Sequence, residues 1–221
     1  LKIIKSYYKN DQTSRAITNA VSANDINDLV INAENRGKVD TYFSDRVKTY
    51  GITDQKSSGR CWLFASLNVM RPKVIERLNL KDFEFSQNYS FFWDQLEKAN
   101  LFLEGIIETR DLPLNDRKVE WLLKNPIGDG GVWNGFVNVV EKYGLVPSDA
   151  MPETHSSENT RMMTRMIALK IKENALQLRE MNKEGKKLKE LRSEKTKMLG
   201  EVYRMLAINL GEPPESFTWR Y

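Results

Sequence analysis

Cys61 is the only cysteine in the sequence, and Gln55 stands six residues before it. Both lie in Asp54-Gln55-Lys56-Ser57-Ser58-Gly59-Arg60-Cys61-Trp62-Leu63-Phe64-Ala65-Ser66-Leu67-Asn68, where a turn gives way to a helical pattern. A thiol in the first turn of a helix faces unpaired N–H groups and the positive end of the helix dipole, which favours the thiolate. A thiolate can attack an amide carbonyl. The Gln55 amide then sits one short loop upstream, placed to donate to the oxyanion forming beside the sulfur. The bland alternative is a small buried hydrophobe, the usual fate of a lone cysteine. The Gly59 turn, the helix that starts at once, and the spacing of Gln55 weigh against it.

Such a pair needs a scaffold, and the sequence supplies helices. From Cys61 onward, Leu63, Phe64, Leu67, Met70, Val74, Ile75 and Leu78 recur at three- and four-residue spacing and make one apolar face. Pro72 lies inside that pattern and predicts a kink or a break. Ser86 caps the next helix, with Tyr89, Phe92, Trp93, Leu96 and Phe102 or Leu103 as its buried stripe. Asp116 to Lys124 reads as a short helix ended by Pro126, and Trp133 to Tyr143 as another, stopped by Gly144. Between them Gly128-Asp129-Gly130-Gly131 reads as a turn with positive-φ residues.

After Pro147 and Pro152 the composition changes. Ser157 to Leu210 reads as two long helices broken near Asn182 to Gly185, with Pro213-Pro214 closing the second. Met162, Met166, Leu169, Leu176, Leu188 and Leu191 mark their apolar stripes, and the charged faces read as solvated. Before the nucleophile segment, Asn24 to Ile31 suggests a capped helix, and Val39 to Tyr50 reads as extended chain and turn. No alternating series of strands is evident anywhere.

Composition narrows the setting. The chain has 221 residues and a formal net charge of +4, enough for a sizeable core but no argument for an acidic partner. One cysteine allows no intrachain disulfide and fits a reducing, cytoplasmic compartment. The first ten residues lack the apolar core of a signal peptide, and no apolar run is long enough to span a bilayer, so no membrane partner is expected. The chain starts at Leu rather than Met, which reads as a processed, trimmed or partial product.

The Gln-to-Cys-Trp spacing resembles the nucleophile signature of papain-like cysteine peptidases. Gly-Arg-Cys-Trp-Leu-Phe-Ala and the following Leu-Asn-Val-Met-Arg are similar to the bleomycin hydrolase and aminopeptidase C group within them. Further blocks agree in order: Phe83 to Gln87, Phe91 to Asp94, Asn125-Pro126, Asp129 to Gly131, Val139 to Gly144, and Gly211 to Trp219. Secreted relatives carry a disulfide cysteine three residues before the nucleophile. Ser58 stands there instead, in agreement with a reducing compartment.

The resemblance implies an α+β papain-like fold, of which this chain would be mainly the α-helical lobe plus a helical insertion, with the β-rich lobe missing. It implies Cys61 as nucleophile, Gln55 with the Cys61 N–H as oxyanion hole, and Gly130 and Gly131 as lining of the peptide cleft. It implies no metal and no cofactor. The catalytic His and Asn would lie further along. His155, the only histidine, neither opens a strand nor precedes an Asn-Ser-Trp block, and it reads as a surface loop residue. Residues 1–50 are then an N-terminal extension, 51–150 the lobe carrying the nucleophile, and 151–221 a helical hairpin used in oligomerisation. Implied partners are peptide substrates with a free N-terminus, other copies of the chain in a hexamer, and the missing C-terminal half of the enzyme. The fragment alone is expected to be inactive. The competing reading is a noncatalytic helical assembly or nucleic-acid-binding module; no base-reading motif supports the latter.

Overall fold

The computed structural model describes every residue except Val39 and Val47. It divides into two units, Leu1–Val47 and Lys48–Tyr221. The first carries α1 (Lys2–Ser6), α2 (Gln12–Ala23) and α3 (Ile26–Leu29). Asp11 caps α2 by accepting from the Ser14 N–H at 2.8 Å, and Asp25 caps α3 through Asn27 at 2.8 Å. None of the described residues in this unit is buried. The expected helix near Asn24 to Ile31 shrinks to the four residues of α3, and α2 forms in a segment that looked merely polar. Of the stretch read as extended chain and turn, Val39 and Val47 lie outside the described residues.

The second unit holds α4 (Cys61–Leu78), α5 (Gln87–Glu108), α6 (Arg117–Lys124), α7 (Trp133–Tyr143), α8 (His155–Glu158), α9 (Arg161–Lys183) and α10 (Leu188–Leu210). At its centre is α5, packed against α4, α6, α7, α9 and α10. Its start is set by Ser86, whose hydroxyl accepts from the Tyr89 N–H at 3.0 Å. Phe91, Phe92, Ala99, Leu103 and Ile106 are fully buried on one broad face of it, while Leu101 on the other side is exposed. Trp93 and Leu96 are only partly buried, and Trp93 stacks flat on Tyr143 with ring centres 4.1 Å apart.

Among the described residues there is no strand, only two isolated bridges: Phe85 with Pro147, and Ser57 with Asn159. Both serve the site. The first ties the entry of α5 to the loop after α7. The second, through the Ser57 N–H and the Glu158 carbonyl at 3.0 Å, ties the loop before Cys61 to the turn between α8 and α9.

Three expectations change. The α4 helix runs unbroken through Pro72, which is buried along with Leu67, Arg71 and Ile75. Burial of Pro72 and its neighbours offsets the backbone bond that a proline interior to a helix forfeits, a loss of about 3 kcal/mol in isolation. Arg71 adds to this by donating to the carbonyls of Thr49 and Gly51 at 2.6 and 2.9 Å. In α9 the stripe chosen from the sequence is the outer one: Met162, Met166, Leu169 and Leu176 are 62%, 52%, 61% and 56% exposed. The core is met by Met163, Ile167, Ile171, Ala175 and Leu178 on the opposite side. Leu188, at the start of α10, is also exposed, whereas Leu191 is buried as expected. Finally, none of Gly128, Gly130 and Gly131 adopts positive φ. Of the three, only Gly131 answers a need for space.

Candidate active site

Cys61 is the first residue of α4, an eighteen-residue helix, and its side chain is exposed. No side chain caps this helix, so the Cys61 and Trp62 N–H groups stay available at its start, while those of Leu63 and Phe64 go to the Arg60 carbonyl. The loop that leads into it is heavily pinned. Asn68 on α4 donates to the Thr53 hydroxyl at 2.6 Å. The Asp54 carboxylate accepts from the Lys56 N–H at 2.8 Å, and Lys56 takes the left-handed φ of 52° that turns the chain sharply after Gln55.

Gln55 is partly buried, and its Nε2 donates to the Ser58 carbonyl at 2.5 Å. A carboxamide carries two N–H donors, so the second remains for a ligand.

The Gly128 to Gly131 loop is strapped directly onto this segment. Asp129 is the buckle. Its carboxylate accepts from the Gly59 N–H at 2.7 Å and from the Thr160 hydroxyl at 2.6 Å, while its carbonyl accepts from the Trp62 indole at 3.0 Å. Burial pushes the Asp129 carboxyl up, but the Thr160 and Gly59 hydrogen bonds outweigh it and hold the group below its ordinary value. Gly59 has no room for a side chain, since a Cβ there would fall 2.4 Å from the Asp129 carboxylate. A Cβ on Gly131 would fall 2.5 Å from the Trp62 ring, whereas Gly130 faces open space.

From behind, Lys98 on α5 donates to the carbonyls of Gly128 and Gly130 at 3.1 and 2.6 Å, and Gln95 reaches Gly128 at 2.9 Å. Lys98 also pairs with buried Asp94 at 2.7 Å. Burial raises the Asp94 carboxyl above its usual value despite that partner.

The structure therefore joins Cys61, Gln55 and Gly131 in one pinned assembly, and leaves Gly130 beside it as exposed backbone held by Lys98. His155 is exposed at the start of α8, not in a loop, and no hydrogen bond joins it to Cys61 among the described residues. Sequence reasoning gave Asp129, Lys98 and Arg60 no role. Asp129 alone left a trace, as the one charged residue inside a run of glycines.

Comparison with known proteins gives this geometry a family. The Peptidase C1-like family model matches residues 1–221. The chain belongs to that family.

It is 41% identical to an aminopeptidase C of Lactobacillus delbrueckii subsp. lactis, over 92% of this chain and 45% of that protein. It is 44% identical to a bleomycin hydrolase of Oryctolagus cuniculus, over 77% of this chain and 62% of that protein. The crystal structure of pepw from Lactobacillus rhamnosis superposes with a TM-score of 0.95 at 40% identity, covering all of this chain and 49% of that one. The chain thus spans about half the length of most of the relatives it matches. The resemblance drawn from the Gln55–Cys61 segment holds: these are cysteine peptidases of the aminopeptidase C and bleomycin hydrolase kind. No helix among the described residues is long and apolar enough to cross a membrane.

Proposed function

We propose that this chain is the nucleophile-bearing helical lobe of a cytoplasmic cysteine aminopeptidase. Its strongest support is the strapping of the Gly130-Gly131 loop to the start of α4 through Asp129 and Trp62, beside an exposed Cys61. In this reading Cys61 attacks the scissile carbonyl, and the free Gln55 N–H and the Cys61 backbone N–H receive the oxyanion. Gly130 and Gly131 present backbone to an extended peptide, which pairs with it as a strand would. The peptide carries a free α-amine. The imidazole and its orienting Asn come from a β-rich lobe in polypeptide beyond these residues, so the chain by itself does not turn over substrate. A single free cysteine fits the reducing compartment.

The reading also makes the outer row of α9 a contact between copies of the chain, because four apolar side chains share one exposed helix face there.

The test is chemical. Cys61 in the folded chain should be alkylated by iodoacetamide at neutral pH, faster than free cysteine, and an inert Cys61 would sink the proposal. The full-length polypeptide should release dye from an aminoacyl-coumarin amide but not from its N-acetyl form, and Cys61→Ser should abolish that release.

A further inference from the structure

Arg60 is the largest side chain in the structure to be wholly buried, and it carries a charge. An unpaired guanidinium would be very costly there, and this one is paired with a carboxylate. Its Nη1 and Nη2 donate to the two oxygens of Glu153 at 3.0 and 2.8 Å. Its plane lies over Phe64 and Phe91, 5.0 and 5.3 Å from the ring centres. Its Nε donates to the Ser58 hydroxyl at 3.0 Å. That hydroxyl in turn donates to the main-chain carbonyl of Gln55 at 2.6 Å, and the Gln55 side-chain amide donates back to the main-chain carbonyl of Ser58. Glu153 is itself fixed by the Ser157 hydroxyl at 2.6 Å.

We propose that Glu153, Arg60 and Ser58 form a positioning relay that aims the Gln55 amide at the oxyanion site beside Cys61. The inference rests on reading Gln55 as an oxyanion donor, and adds what holds it there. Each link fixes the next. The fork with Glu153 uses one N–H from each Nη and orients the guanidinium so that Nε faces the Ser58 hydroxyl. Ser58 has one proton and spends it on Gln55. With the Gln55 main chain held by the Ser58 hydroxyl and one amide proton held by the Ser58 carbonyl, the second amide N–H has its direction set by this ring. Arg60 is also the residue before the nucleophile, and its carbonyl accepts the Leu63 and Phe64 N–H groups that begin α4. One guanidinium thus registers the oxyanion donor and the nucleophile to the same point. A bidentate fork plus a third in-plane donor is a geometry that lysine cannot reproduce.

The test compares Gln55→Ala, Ser58→Ala and Arg60→Lys in the full-length peptidase. Ser58→Ala is the mild variant, since it leaves the Arg60–Glu153 pair intact, and its Tm shows that the fold survives. It should lower kcat by about ten- to a hundred-fold, as expected for a misaimed group, with KM within about two-fold. It should weaken a peptide aldehyde in proportion, because thiolate addition to the aldehyde carbonyl moves an electron pair onto the oxygen that Gln55 receives. Alkylation of Cys61 by iodoacetamide should keep its rate, since displacement of iodide builds no oxyanion. Arg60→Lys should show the same split.

If Gln55→Ala lowers kcat but Ser58→Ala leaves it within two-fold, the relay is wrong while the oxyanion reading stands. If Gln55→Ala changes nothing, both fall together. A parallel loss of alkylation in Ser58→Ala would place the effect on Cys61 and overturn the relay as well.

Discussion

Gly130 and Gly131 are neighbours with different reasons to be glycine, and alanine separates them. Gly131 lies against the Trp62 indole, which cannot swing away without giving up its bond to the Asp129 carbonyl. Gly131→Ala should therefore cost about 1–3 kcal/mol by overpacking, read as a shift in the urea midpoint. Gly130→Ala meets nothing within 4 Å and takes no left-handed φ, so its midpoint should stay within about 0.5 kcal/mol. A loss of peptidase activity in Gly130→Ala without that shift would mark contact with substrate.

Asp129 makes a second residue-scale prediction. Its folded value lies below the 3.8 of a free carboxyl, so its contribution to stability is present above that pH. The contribution is lost as pH falls through the folded value, when the proton displaces the Gly59 and Thr160 bonds. Asp129→Asn should be less stable than wild type by about 1–2 kcal/mol near pH 7. The gap should narrow below pH 4, and a gap independent of pH would exclude the carboxylate as its source.

At the scale of elements, α9 carries two apolar rows on nearly opposite sides, and truncation identifies the structural one. Ile171→Ala should cost about 2–5 kcal/mol and Leu169→Ala close to nothing, measured by chemical denaturation. Periodicity could not choose between these rows, because Met and Leu occupy both and the partner helix decides which is inner. The same limit explains Pro72. A local rule allows a break there, and the helix continues where Pro72 is buried and the neighbouring Arg71 ties α4 to the Thr49–Gly51 loop.

Where a helix is delimited by local chemistry, the sequence was legible almost to the residue. Ser86 and Asp116 cap α5 and α6 with their own side chains, and Gly144 ends α7. The candidate site divides in the same way. Gln55, Cys61 and the paired glycines stand in short local motifs and could be found. Arg60 with Glu153, and Asp129 with Gly59, join residues 93 and 70 positions apart, and no local pattern announces such pairs.

For the whole molecule, the outer row of α9 is the feature that the fold of one copy leaves unused. Met162, Met166, Leu169 and Leu176 project from one face at helical spacing, with Glu173 on that line and Arg165 and Lys172 beside it. Burying the exposed half of these four side chains against a second copy would contribute about 1–1.5 kcal/mol each before the cost of association is met. Replacing two of them, Met166→Glu with Leu169→Glu, should leave the unfolding midpoint of the isolated chain within about 0.5 kcal/mol, because neither supports the inner core. The same pair in the full-length peptidase should shift its native mass towards smaller species, because each carboxylate would have to be buried in the contact. Native mass spectrometry or light scattering reads this directly. An assembly that survives both glutamates would place the contact between copies on another face.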